Sequence, residues 1–397
     1  PWLGISGEEI CTAKTEDVKV VLRGATNVWF ADTRSSISIP VDDEKTRRKI
    51  VGILNKWFDT INASRVDGKL NPSFIEMIAV NEGVNAKELY QAFEDRANNL
   101  QSGDDINENM SEDEYRIQEY KVLCKTSGSD ALDFHSISQP ITEYAPVIQD
   151  YFESISLVPK LRETRAFVGF SRLEPNQRTI SDCKKELRLG STEDWLPAIE
   201  VFGEGIFFKF DAEKLQKWAK IPSVQKRISK LNTAYHKARF GADSVGDLRP
   251  EYVLIHTFAH LIINQLSFDC GYGSSSIRER IYCERSSNDL NMYGLLIYTA
   301  SGDSEGSLGG LVRQGEAGRL EDTIVSAIEN ASWCTSDPIC IQSAGQGPES
   351  LNLAACHNCT LLPETCCETG NRLLDRGVVV GTLTEPETGF FNAMRSI

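Results

Sequence analysis

Cysteine is the residue type whose spacing carries the most chemistry in this chain. There are eleven, and six fall within residues 334–367: Cys334, Cys340, then Cys356-His357-Asn358-Cys359, then the doublet Cys366-Cys367. A Cys-x2-Cys turn lets two thiolates reach one metal from a single loop, and thiolates from elsewhere complete a tetrahedron with bonds of about 2.3 Å. The pattern therefore reads as a structural zinc site, whose four ligands leave no open position for a substrate. The candidate ligands are Cys334, Cys340, Cys356, Cys359 and Cys367, with Cys366 and His357 adjoining, so more thiols are offered than a tetrahedron can take. Clustered thiols of this kind read as metal ligands before disulfides. Cys124, Cys183, Cys270 and Cys283 stand singly, which a small buried side chain explains.

Three other motifs bear on chemistry. His256 and His260 stand four apart and share one helix face, as ligands do in zinc hydrolases, but Thr257 follows the first histidine where those enzymes carry Glu. Their apolar neighbours favour two hydrogen-bonded core histidines, with Asp269 or Glu279 as a third ligand if the fold brings one near. Gly302-Asp303-Ser304-Glu305-Gly306 matches a nucleophile elbow, with Asp337 and His357 following in hydrolase order. The glycines at 309 and 310 delay any helix, and His357 sits inside the cysteine turn, so a tight turn is the better reading. No Gly-Lys-Ser or Gly-Lys-Thr phosphate loop is present, so ATP hydrolysis by this chain alone is not expected.

The elements that must position these groups follow from periodicity. Val18–Leu22, Val28–Phe30 and Ser36–Ile39 read as strands. Ile50, Ile53, Leu54, Trp57, Phe58 and Ile61 recur at helical spacing, as do Leu89 and Phe93, which makes residues 42–123 mainly helical. The acidic run Ser102–Glu114 reads as a solvated loop. Strands are expected at 165–170 and 198–202, with Gly203-Glu204-Gly205 turning the second into a hairpin with 206–210. Residues 213–239 form two basic helices divided by Pro222, with Lys226, Arg227, Lys230, Lys237 and Arg239 as a nucleic-acid or partner patch and Trp218 and Tyr235 available for stacking. The plainer reading of that stretch is two solvated helix faces. An apolar helix at 252–266, a strand at 293–298 and a helix at about 316–331 lead into the cysteines.

The fold class expected is α+β, multi-domain, with a cysteine-rich zinc-binding C-terminal part. The segments are 1–41, a β-rich remnant of a preceding region; 42–140, mainly helical; 141–248, mixed, with the basic helices; and 249–397, the zinc-binding part. With 41% hydrophobic and 25% charged residues, no secretory signal and no long apolar run, a cytoplasmic protein without a membrane span is expected. Pro1 in place of an initiator Met leads us to expect a preceding segment. A net charge of −15 opposes a protein that coats nucleic acid over its whole surface, so any such contact is local or shared.

Several separated strings together resemble one family. They are Arg23–Phe30 with Ser35–Pro40, Val168–Arg172, Trp195–Ala198, Phe202–Phe207, His256–His260, Ser307–Arg313, Ala354–Cys359, Pro363–Thr365 and Asn371–Arg376. In this order they resemble the DrmB component of the DISARM anti-phage system, from residue 1 to about 380. The resemblance implies a C-terminal domain shared with MrfA-type DNA-repair helicases, where the metal is structural. It implies pairing with a DrmA-type superfamily 2 helicase in a heterodimer or larger complex that engages DNA. By position, Cys356, Cys359 and Cys367 match the last three motif cysteines, and Cys334 with Cys340 supplies the remainder; the Cys366-Cys367 doublet departs from the usual single Cys. Cys11 would be the last ligand of an N-terminal zinc-ribbon-like part. A non-catalytic accessory subunit is the leading expectation; the alternatives are a metal-dependent hydrolase using His256 and His260 and an independent DNA-binding module.

Overall fold

Long stretches of β-rich sequence at 152–172 and 198–210 build the centre of the fold as a pair of antiparallel strands. The computed structural model describes residues 29–39, 44–65, 70–87, 89–90, 92–94, 112–126, 133–172, 196–238, 246–273, 275–285, 291–299 and 310–396. Cys11, Cys183, Arg239, the strand expected at Val18–Leu22 and the Gly302–Gly306 turn lie outside the described residues. In chain order the elements are β1 (Trp29–Ile37), α1 (Glu44–Ala63), α2 (Pro72–Glu82), α3 (Glu112–Leu123), β2 (His135–Pro140), α4 (Pro146–Gln149), β3 (Phe152–Arg172), β4 (Ala198–Phe210), α5 (Ala212–Ala219), α6 (Pro222–Tyr235), α7 (Pro250–Cys270), β5 (Ile277–Tyr282), β6 (Gly294–Thr299), α8 (Gly310–Gln314), α9 (Leu320–Ala331) and α10 (Arg376–Val380). The class is α+β.

One antiparallel sheet runs β1-β3-β4-β6-β5. The 21-residue β3 is long enough to hold two partners on one edge, with β2 along its first half and β1 along its second. The sheet thus takes strands from all four segments set out above, while α1 and α2 bury a separate apolar cluster that includes Ile53, Leu54, Ile61, Ile75, Leu89 and Phe93. That cluster uses the helical face read from the sequence.

The hairpin expected at Gly203–Gly205 does not form, because β4 runs unbroken through it. The glycines serve close approach. A Cβ on Gly203 would sit 1.7 Å from the Thr299 carbonyl oxygen, and one on Gly205 2.8 Å from that of Ile297, both on the neighbouring β6. The end of the acidic run also departs from expectation, since α3 begins at Glu112.

Strand alternation then sorts β4 between two cores. Ile206, Phe208 and Phe210 face α7, whereas Phe207 faces α3 and packs against Tyr120 and Tyr282. Helix α7 is apolar on nearly every side, and every residue from Pro250 to Ile263 is buried. Its Phe258 stacks on Phe391, centroids 5.0 Å apart, and meets Phe152, Phe208 and Phe210 edge-on or tilted. This fixed central helix carries His256 and His260.

Candidate zinc site

Four of the clustered cysteines converge after α9. The Sγ atoms of Cys334, Cys340, Cys356 and Cys359 all lie within 4.8 Å of one another. The Cys334–Cys356, Cys356–Cys359 and Cys340–Cys359 separations are 3.5, 3.7 and 3.8 Å. A tetrahedron with zinc–sulfur bonds of about 2.3 Å has edges of about 3.8 Å, so the donor set fits zinc in both chemistry and size. The Cys356-x2-Cys359 turn closes with the Cys359 amide on the Cys356 carbonyl at 3.1 Å, while the Cys356 amide donates to the Cys359 sulfur at 3.4 Å. The hydrogen bond from Cys340 lowers the Cys359 thiol to about 5 and raises Cys340. One thiol of the pair is thus already biased toward the thiolate that a metal requires.

The loop's own apolar cluster is small, Cys334, Cys340, Ile341 and Ala354, while its Leu351 and Leu353 pack into the main core. Ionic anchors tie it further to the body. Asp337 accepts from the amides of Cys334 and Ile341 and receives the Arg376 guanidinium at 2.7 and 2.8 Å; Arg376 also donates to the Ala331 carbonyl. Next to Arg376, Asp375 accepts from the amides of Ala354 and Gly377 and from Arg227. These charges are enclosed, with Arg376 and Asp375 at 0% exposure, and each is paired with an opposite charge, although Arg376 Nε has no hydrogen-bond partner.

Cys367 is elsewhere. Its sulfur lies 3.1 Å from His256 Nε2, in a cluster with His260 and Glu279. The cysteine spacing could not reveal this, because Cys367 leaves the end of a short 3-10 turn, Glu364–Cys366, whose placement depends on the rest of the fold. Of the carboxylates considered with the histidines, Glu279 arrives from β5, with Oε1 3.1 Å from His256 Nε2 and Oε2 3.6 Å from His260 Nε2. Asp269 instead accepts from Gln265 and Thr323. Burial opposes charge on both imidazoles, but Glu279 and Cys367 outweigh it, raising His256 to about 10 and His260 to about 9. Cys366 packs in the main core, and His357 is exposed on the cysteine turn.

The basic stretch is divided by its helix faces. Lys230 and Lys237 are exposed, and so is Lys226, which also reaches Glu385 at 3.0 Å. Arg227 does not join them: its side chain is 11% exposed and bound to Asp375. Trp218 and Tyr235 are buried too, Trp218 donating to the Thr388 carbonyl, so neither offers a stacking face. Among the described residues no helix is long and apolar enough to cross a membrane.

Comparison with known proteins agrees with this geometry. Residues 258–360 match the model of the MrfA Zn-binding domain, a span that contains all four converging cysteines. Together with the four converging thiols, the match makes Zn2+ the metal of this chain. Across 96% of its length the chain is 34% identical to the DISARM protein DrmB of Bacillus paralicheniformis, of which the alignment covers 67%. On that identity and coverage, the chain belongs to the DrmB family.

Proposed function

We propose that this chain is a non-catalytic, zinc-stabilised accessory subunit of a DISARM defence assembly, working beside a DrmA-type superfamily 2 helicase on DNA. Cys334, Cys340, Cys356 and Cys359 hold the zinc. The observation that carries the reading is the closed set of four thiols on a loop with almost no apolar core of its own. Such a loop gains its order from metal binding rather than from burial, and a metal with four protein ligands keeps no position for substrate. What the zinc holds in place is a surface, continuous through Arg376 and Asp337 with the buried body of the fold.

Lys226, Lys230 and Lys237 are the basic groups that extend a DNA path laid down by the helicase; Arg227 serves the fold. An acidic chain of net charge −15 contacts DNA through such a local strip, not through its whole surface. The hydrolase reading for His256 and His260 loses ground to the same logic, since Cys367 occupies the position where a catalytic site keeps water, and all four groups are buried.

The test is co-purification with the helicase. Cys356→Ser with Cys359→Ser should abolish zinc binding at that loop and release the helicase, while the central sheet stays folded by circular dichroism. Retention of the helicase by a zinc-free but folded variant would overturn the scaffold role.

A further inference from the structure

We infer that the chain holds a second metal site, independent of the four-cysteine zinc, formed by His256, His260, Glu279 and Cys367. One donor atom from each lies within 4.8 Å of the other three. Three separations are resolved: 3.1 Å from His256 Nε2 to Cys367 Sγ, 3.1 Å from His256 Nε2 to Glu279 Oε1, and 3.6 Å from His260 Nε2 to Glu279 Oε2. Ligand bonds of 2.0–2.3 Å in a tetrahedron give edges of roughly 3.3–3.8 Å, so a small ion fits between the donors after minor adjustment. The donors come from three separate parts of the chain: α7, β5 and the segment after the four-cysteine loop.

Hydrogen bonds around His260, Glu279 and Cys367 aim their donor atoms inward, whereas the outer nitrogen of His256, Nδ1, is buried without a partner. His260 Nδ1 is 2.9 Å from the Thr360 carbonyl, which can only accept, so Nδ1 carries a proton and Nε2 is the nitrogen turned toward the cluster, where a bound metal would take the place of its proton. The Asn371 amide donates to the Cys367 sulfur at 3.2 Å, and the Glu368 amide donates to Glu279 Oε1 at 3.1 Å. At the centre, the buried His260 Nε2 and Glu279 Oε2 face each other at 3.6 Å, too far for a hydrogen bond, and neither has another hydrogen-bond partner. Two groups that carry negative charge when ionised, a carboxylate and a thiolate, thus share a closed space with a nitrogen lone pair. A divalent cation satisfies all of them at once.

A closed set of two nitrogens, one carboxylate oxygen and one sulfur suits the tetrahedral coordination of zinc better than that of the other common divalent ions. The site is structural, because its four protein ligands are buried and leave no vacant position. It clamps the central helix to the sheet and to the C-terminal segment. His256 and Cys367 both lie outside residues 258–360, the span that matches the MrfA Zn-binding domain, so that domain as matched does not contain the site.

The test uses the full chain purified with zinc as the added metal. Elemental analysis should find two zinc ions per chain. Replacing Cys356 and Cys359 with Ser should remove one, and His256→Ala with His260→Ala should remove the other. X-ray absorption at the zinc edge of the unaltered protein needs no variant to fold, and should show a mixed sulfur and nitrogen or oxygen shell. A shell of sulfur alone overturns the second site whatever the count, as does zinc content that is unchanged when both histidines are replaced. A single zinc per chain that needs the histidines and is indifferent to Cys356 and Cys359 would sink the proposed scaffold role and leave the second site standing.

Discussion

Arg376 shows how single residues bear on the zinc loop from outside it. Its guanidinium is wholly buried and is matched by Asp337, which in turn holds the amides of Cys334 and Ile341. Removing one partner leaves the other charge enclosed and unpaired, a loss of about 3–5 kcal/mol. Asp337→Ala should therefore lower stability by that order in urea unfolding and weaken zinc retention against a chelator, although Asp337 touches no metal. Gly203 makes a different point. The space a side chain would need there is filled by backbone, the Thr299 carbonyl, which cannot move aside as a flexible side chain would. Gly203→Ala should destabilise the fold by about 1–3 kcal/mol, with a lower urea midpoint as the readout.

At the scale of the element, α6 has two roles on two faces. Arg227 points inward to Asp375, while Lys226 and Lys230 point outward, and Lys237 is exposed just beyond the helix. Charge reversal at Lys226, Lys230 and Lys237 in the helicase complex should weaken DNA binding. It should also reduce the slope of log affinity against log salt, by about 0.9 for each phosphate that is no longer neutralised. Unchanged salt dependence would remove the lysines from the DNA path. Arg227→Glu should behave differently, lowering the melting temperature, because it places a second carboxylate against a buried one. Helix α7 is the element on which both the main core and the histidine cluster depend, since its Phe258 face fills that core while His256 and His260 face β5.

For the whole molecule, one sheet assembled from distant strands joins regions that composition alone would separate. Buried ion pairs reinforce those joints: Arg280 on β5 is held by Glu119 on α3 at 2.7 and 3.0 Å, and Glu119 also receives the Ile37 amide of β1. The four-cysteine loop is joined to this body by Asp337–Arg376, by Arg227–Asp375 and by Leu351 and Leu353, while the part around the thiols has only a small apolar cluster of its own. Zinc removal by a strong chelator should accordingly expose the residues around 334–360 to protease while the sheet retains its protection. Hydrogen exchange resolved by segment would check this, and uniform loss of protection across the sheet would contradict it.

Much of the site was legible in sequence because its information is local. Cys356-x2-Cys359 is one turn, His256-x3-His260 is one helix face, and the apolar run of α7 declares its own burial; each follows from backbone periodicity over a few residues. The tertiary structure alone decided which thiols meet. Cys367 is eight residues from Cys359 along the chain, yet it belongs with two histidines more than a hundred residues earlier and with Glu279 on a strand between them. It likewise decided that Gly203-Glu204-Gly205 is a crossing point within β4 rather than a turn, and that Arg227 is a structural cation. The physical reason is common to all three. A residue's role there is set by which atoms another element brings within about 4 Å, and spacing along one segment holds no record of its neighbours in space.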